Sequence, residues 1–290
     1  MIGSSIARWV TIAPATALFA AVAVLPVVLL VALSVSEIRW VQGIAQWRYA
    51  GAEHYVRLAG DGLFRAGIAN TMLFALGAVG LQIVLGFTLA LMCTRVTRGR
   101  VFYRTVFILP ILVPGIVIGA IWKLMYNFDF GVLNQILGAV GMPAVDWLGN
   151  RNTALLAVIV VDVWHWTPFV FLLMLAALES LPEDVYEAAR IDGAGFLQEL
   201  RHITLPLVWP TMMVTLLFRL IVAFKVFDEI YLLTGGGPGT ATEVMSYTIY
   251  RRFFTEGQIG YGSAMSLTAL VVLATLFLIT AGATRRRVPR

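Results

Sequence analysis

Cysteine, lysine and charge are all scarce in this chain of 290 residues. The single cysteine, Cys93, excludes an internal disulfide and a cysteine-based metal site. The only two lysines, Lys123 and Lys225, do not follow a glycine, so no Walker A phosphate loop is present. A chain of this kind is not its own ATPase. Charged residues make up 13%, about half the share usual in soluble domains. With 60% hydrophobic residues and a mean hydropathy of +0.86, a bilayer is its natural solvent. The net charge of +5 is almost all arginine beside apolar runs, with no basic stripe interleaved with aromatics. Such arginine sets membrane topology and does not mark a nucleic-acid surface. The three histidines, His54, His165 and His202, are far apart. No linker, low-complexity run or internal repeat divides the chain, which reads as one transmembrane domain over residues 1–290.

Six apolar runs are long enough to span, at about 20 residues each. They lie near 12–34, 70–93, 106–126, 153–178, 208–233 and 261–282. The first is longer than a signal-peptide core and no small-residue cleavage site follows, so it is expected to be retained. With the N-terminus inside, cytoplasmic segments hold Arg8, Arg95, Arg98, Arg100, Arg104, Arg190, Arg201, Arg285, Arg286, Arg287 and Arg290. Outer segments hold Arg39, Arg48, Arg57, Arg65, Arg151, Arg251 and Arg252. Arginine is denser on the first set, so both termini are expected in the cytoplasm. The first outer loop is nonetheless richer in arginine than that rule favours.

Polar groups within spans are costly and face a cavity or a partner. Asp162, His165, Trp166 and Phe169 fall at i, i+3, i+4 and i+7, one face of a helix. That set suits sugar recognition, with polar groups on hydroxyls and rings over the apolar sugar face. An interhelical hydrogen-bond network with interfacial aromatics would use the same residues. Arg219 is too deep to snorkel and is expected in a wet cavity or against an acid such as Asp162. Lys225 and Asp228 follow towards the outer end, and Lys123 beside Trp122 reads as an interfacial anchor. Leu109-Pro110 and Pro114-Gly115 predict a kinked or unwound third span. Gly235-Gly236-Gly237-Pro238-Gly239 marks a tight turn after the fifth.

Between the fourth and fifth spans, over 179–207, lies a strongly polar insertion. Pro182, Glu183 and Asp184 suit a helix start, and Ala188 and Ala189 a slim helical face. Gly193 suits a left-handed cap, and a second short helix is predicted from Phe196 to a stop at Leu205-Pro206. The run Glu187-Ala188-Ala189-Arg190-Ile191-Asp192-Gly193-Ala194, with Ile203, Leu205-Pro206 and Pro210, resembles the EAA loop of ABC importer permeases. It departs at Leu200, where that family usually has an aromatic. Trp164-His165-Trp166-Thr167-Pro168-Phe169, Phe218-Arg219 and the run from Phe227-Asp228-Glu229 to Gly237-Pro238 look like the carbohydrate-uptake branch, nearer its maltose-type first permease.

The resemblance covers nearly the whole chain and is strongest from about residue 100 to 265. It implies an all-α, six-span, type I importer permease in a bacterial or archaeal cytoplasmic membrane. It also implies a second homologous permease, a dimeric ATPase that binds the ATP and Mg, an extracytoplasmic solute-binding protein and a sugar substrate. The chain itself would hold no cofactor and no metal. ATPase coupling would fall on Glu187, Ala188, Ala189, Asp192 and Gly193. The substrate path would fall on Asp162, His165, Trp166, Phe169, Arg219, Ala223 and Val226, with Ile111 and Gly115. Two other classes use some of the same groups. A proton-coupled carrier could relay through Asp162, His165 and Arg219, but such carriers usually carry internal repeats. A membrane enzyme would have little beyond Asp162 and His165.

Overall fold

A computed structural model of the chain describes residues 3–285 apart from 43 and 97, so Arg286, Arg287 and Arg290 lie outside the described residues. Helix α1 (Gly3–Ser34) leads into a hairpin of β1 (Ser36–Val41) and β2 (Ile44–Tyr49), then α2 (Glu53–Gly60) and α3 (Gly62–Arg95). There follow α4 (Arg100–Ile108), a 3₁₀ turn (Leu109–Leu112), α5 (Gly115–Met125), α6 (Val132–Ala139) and α7 (Ala154–Glu179). Next come α8 (Glu183–Ile191), α9 (Phe196–Glu199), a π-helical turn (Leu200–Thr204), α10 (Leu205–Ala223) and α11 (Asp228–Leu233). A short α12 (Met245–Tyr250), a second π-helical turn (Arg251–Thr255) and α13 (Ile259–Arg285) complete the order. Helices dominate because each satisfies its own backbone polar groups, as hydrocarbon requires.

Among the described residues, five helices are long and apolar enough to span, and a bent pair makes a sixth. Two expected spans differ in detail. The third is broken, its halves Val101–Leu112 and Gly115–Met125 meeting at 95°. Proline at 110 and 114 removes two N–H donors, and the chain between them goes through a 3₁₀ turn and an extended Val113. The fifth runs Phe196–Ala223, not 208–233. Pro206 does not stop it, because the π-helical turn passes the Leu205 N–H back to the Leu200 carbonyl and widens the helix just ahead of the proline ring. The outer end stops early in i→i+3 bonds, Lys225 to Val222 and Val226 to Ala223, before Asp228 and Glu229 open the first turn of α11.

The residues group into two compact units, each described by itself. In the first (Met1–Phe64 with Thr248–Val272), β1 and β2 pair antiparallel with Glu37 opposite Arg48. Arg39 and Arg48 lie 2.7 and 2.6 Å from Glu37, and Arg48 also 2.7 Å from Glu53. Arg57 lies over the Tyr261 ring at 4.1 Å. The arginine excess after the first span is thus largely taken up within the chain. Exposed pairs of this sort add little stability but fix register.

Asp61 is the polar centre of this unit. Its Oδ1 accepts from the Leu63 and Phe64 N–H groups at 2.8 and 3.1 Å and so caps α3. Its Oδ2 accepts from the Tyr261 hydroxyl at 2.6 Å, with Arg252 at 3.9 Å. Burial pushes the carboxyl up, but the Tyr261 hydrogen bond, the two N–H groups and Arg252 outweigh it and hold it below its ordinary value of 3.8. A lowered carboxyl contributes stability above its unfolded pKa, and that stability is lost as pH falls through the folded one. Thermal unfolding of wild type and Asp61→Asn should therefore differ by a constant margin above about pH 5, narrowing as pH falls below about 4. A margin that does not change with pH would refute the assignment.

In the second unit (Arg65–Tyr247 with Leu273–Arg290), α7 is the central element. A buried cluster of Ala90 and Cys93 from α3, Val170, Phe171, Met174 and Leu175 from α7, and Val208 and Met212 from α10 holds three helices together. The glycine-rich turn expected after the fifth span has positive φ at Gly235, Gly236 and Gly239. Asn70 on α3 donates to the Thr240 and Glu243 carbonyls at 2.8 and 2.9 Å and ties it down.

Candidate functional site

The i, i+3, i+4, i+7 face of α7 meets α3 and α10 at a buried polar cluster. Arg219 has no exposed surface. Its Nε donates to Gln82 Oε1 at 2.8 Å and its Nη2 to Asp162 Oδ2 at 3.0 Å. Gln82 Nε2 closes the triangle, donating to Asp162 Oδ2 at 2.7 Å and to the Asp162 carbonyl at 3.0 Å. The guanidinium carbon stands 4.4 Å from the centre of the Trp166 ring. Phe169 packs edge-on against Trp166, and Phe218 lies against Phe169 with centroids 5.0 Å apart. Beside them, His165 Nδ1 lies 3.4 Å from Glu229 Oε1, both side chains buried. Arg219 and Asp162 thus meet as an ion pair, as a low-dielectric setting demands, while the buried Arg219 Nη1 finds no hydrogen-bond partner among the described residues.

A cavity of about 310 Å³ opens next to the cluster, lined by Gly115, Asp162, His165, Trp166, Val226 and Glu229, with Val222, Lys225, Phe227 and Asp228. Of the path residues named from sequence, Gly115, Asp162, His165, Trp166 and Val226 line it. Ala223 and Arg219 are buried outside the lining, Phe169 supports Trp166, and Ile111 is half-buried in the 3₁₀ turn away from it. Gly115 has a local reason to be glycine, since a Cβ there would come within 3.0 Å of Asp228 Oδ2. Lys225 and Asp228 are exposed towards the cavity. Gln82 and the buried role of Glu229 were missed from sequence. The signal for Gln82 was an amide alone in an apolar run, a costly residue in lipid.

The polar insertion forms a second site. Pro182 stands at the N-cap of α8, with Glu183 and Asp184 in its first turn. Gly193 is left-handed at φ 78°. Its N–H donates to Arg190 O at 3.1 Å and the Ala194 N–H to Ala189 O at 2.9 Å, the two bonds of a Schellman cap. Gln198 then accepts from the Gly195 N–H at 2.9 Å to start α9. The elbow is tied to the long helices by Tyr186 and Thr204, whose hydroxyls are 2.9 Å apart, and by Arg95 over the Phe196 ring at 3.9 Å. Behind α8 is a cavity of about 620 Å³ whose lining includes Arg95, Glu183, Tyr186, Glu187 and Arg190. Glu187, Ala188, Asp192 and Gly193 are exposed and Ala189 is half-buried. Ile191 is 87% exposed and Leu197 72%. Large apolar side chains offered from a polar, rigidly capped element suit a protein partner. No group of three metal-ligating side chains occurs among the described residues.

Comparison with known proteins covers most of the chain. The family model for binding-protein-dependent transport system inner membrane components matches residues 82–290. Over 231 residues the chain is 38% identical to the trehalose/maltose transport system permease protein MalF of Thermococcus litoralis, spanning 80% of this chain and 78% of that protein. Over 280 residues it is 32% identical to the sulfoquinovosyl glycerol transport system permease protein SmoG of Agrobacterium fabrum, spanning 97% and 90%. Among solved structures, a chain of a bacterial ABC transporter that imports the acidic polysaccharide alginate superposes with TM-score 0.85 at 25% identity, covering 98% of this chain and 97% of that one.

Proposed function

Since this chain belongs to the family of binding-protein-dependent transport system inner membrane components, we propose that it is the carbohydrate permease subunit of an ATP-driven importer, coupled to a cytoplasmic ATPase through α8. Relatives named for trehalose/maltose and for sulfoquinovosyl glycerol support a sugar or sugar-like cargo. A related transporter solved with a pentasaccharide-bound periplasmic protein supports a solute-binding partner outside. In this reading the sugar crosses between this chain and a second permease, and two ATPase subunits hold the ATP and Mg. Both termini are cytoplasmic.

The observation that carries the coupling is the elbow of α8 and α9. Its cap is rigid, its base is hydrogen-bonded to Thr204 immediately ahead of α10, and its apolar side chains Ile191 and Leu197 are open to a partner. Closure of the ATPase dimer would push on α8 and, through the Tyr186–Thr204 and Arg95–Phe196 contacts, move the inner ends of α10 and α3. Trp166 supplies a ring for the apolar face of a sugar, and Lys225, Asp228 and Glu229 supply groups for its hydroxyls.

Cysteine chemistry tests this on a Cys93→Ser background. A cysteine at Ala189 should crosslink to the ATPase, while one at Thr240, an exposed position, should react with an impermeant maleimide in intact cells. Labelling of Thr240→Cys only after the membrane is opened would invert the topology and end the proposal. Reconstituted with its binding protein, the complex should take up trehalose or maltose only with ATP. Uptake of either that persists without ATP and collapses with the proton gradient would restore the carrier reading.

A further inference from the structure

We propose that Arg219 does not touch the cargo but is a positioning residue that sets the angle of the Trp166 ring at the cavity wall. The proposal rests on reading that cavity as the sugar site. Three observations carry it. Arg219 is wholly buried and outside the cavity lining, whereas Trp166 is half-buried and within it. The guanidinium is held at two points, by Gln82 on α3 at 2.8 Å and Asp162 on α7 at 3.0 Å, which fixes its plane as well as its place. That fixed cation lies 4.4 Å from the Trp166 ring centre, and Phe169 meets the ring edge-on. An indole gripped by a cation and by an aromatic edge is oriented before any sugar arrives.

Gln82 is the informative partner. It lies outside the cavity lining and contacts neither Trp166 nor Phe169 among the hydrogen bonds and ring contacts of the cluster, yet it fixes the Arg219 Nε. Gln82 therefore acts on the ring only at one remove, through Arg219 or through Asp162, to which it also donates. Arg219→Lys, which leaves the Gln82–Asp162 bonds in place, separates the two routes. Lysine at 219 would keep the charge but lose the planar fork, so it could reach Asp162 or Gln82 without lying flat by the indole.

The test reads the ring itself and needs no cargo, so its failure is distinct from failure of the sugar assignment. The assembled complex is labelled with 5-fluorotryptophan in lipid nanodiscs, and the Trp166 resonance is identified by its loss in Trp166→Phe, as are the other seven of this chain by single Trp→Phe changes. In Arg219→Lys and in Gln82→Met the Trp166 fluorine signal should shift and broaden while the other seven stay in place. An unmoved Trp166 signal in either assembled variant overturns the proposal. So does a general shift of all the tryptophans, which would make the cluster a determinant of the fold at large. If Arg219→Lys does not assemble, Gln82→Met decides by the same two outcomes. Failure of both to assemble also overturns it, because the cluster would then serve folding.

Discussion

Complexes carrying Gly193→Val are expected to assemble and to hydrolyse ATP at their basal rate, yet to lose uptake and its stimulation by the binding protein. Gly193 sits at φ 78°, where an L-residue costs about 1–2 kcal/mol and a β-branched one more. Nothing lies within 4 Å of the added Cβ, so the whole cost is backbone conformation and no clash disturbs the bundle. Relief of that strain breaks the bonds to the Arg190 and Ala189 carbonyls and frees the exit of α8. A helix of 9 residues does not stand alone in water and keeps its form only through its cap and the Tyr186 anchor. Gly193→Asn, which tolerates the left-handed region, should retain part of the uptake. Wild-type uptake by Gly193→Val would rule out α8 as the coupling element.

At Gly86 the expected result is loss of the complex itself. A Cβ there would stand 2.7 Å from the Cβ of Val170 and 2.9 Å from the Phe171 backbone nitrogen, so α3 and α7 must move apart. Gly86→Ile adds a branched side chain to a closed crossing beside the buried cluster of Ala90, Phe171 and Met174. Overpacking of this kind costs about 1–3 kcal/mol or more. Gln82, one helical turn away, would be drawn from Asp162 as well. Membrane levels of the assembled complex should fall steeply, measured by detergent extraction and gel filtration. Gly80→Ala on the same helix has open space around its Cβ and should assemble normally. Normal assembly of Gly86→Ile would show that the two helices do not cross so closely.

Much of the membrane architecture was legible in the sequence, and the reasons are local. Apolar runs are read by length, Pro110 and Pro114 mark the broken third span, and Gly193 marks a left-handed cap because few other residues tolerate one. The period of Asp162, His165, Trp166 and Phe169 placed them on one face. What was not legible depends on packing. Nothing local shows that Gln82 reaches Arg219 across 137 residues, or that the guanidinium faces inward and not the cavity. Pro206 reads as a stop, and only the π-helical turn ahead of it lets the helix continue. The early end of the fifth span is masked because Phe224, Val226 and Phe227 are as apolar as the helix before them.

That continuous helix has a mechanical consequence. From Phe196 to Ala223 it is one rod of 28 residues, about 42 Å long at 1.5 Å per residue. Val208 and Met212 are clamped in the buried cluster and make a fulcrum. The arm from Val208 to the elbow is about 18 Å, while the arm from Met212 to Arg219 is about 10 Å. The rod therefore gears down: a sideways stroke at the inner end arrives at Arg219 at roughly half its size. Spin-label distances from Leu197 and from Phe218 to a fixed site on α7, with and without ATP, would measure that ratio, since these positions stand about 16 Å and about 9 Å from the clamp. Equal displacements in the same direction at both labels would mean that the helix slides as a whole and has no pivot.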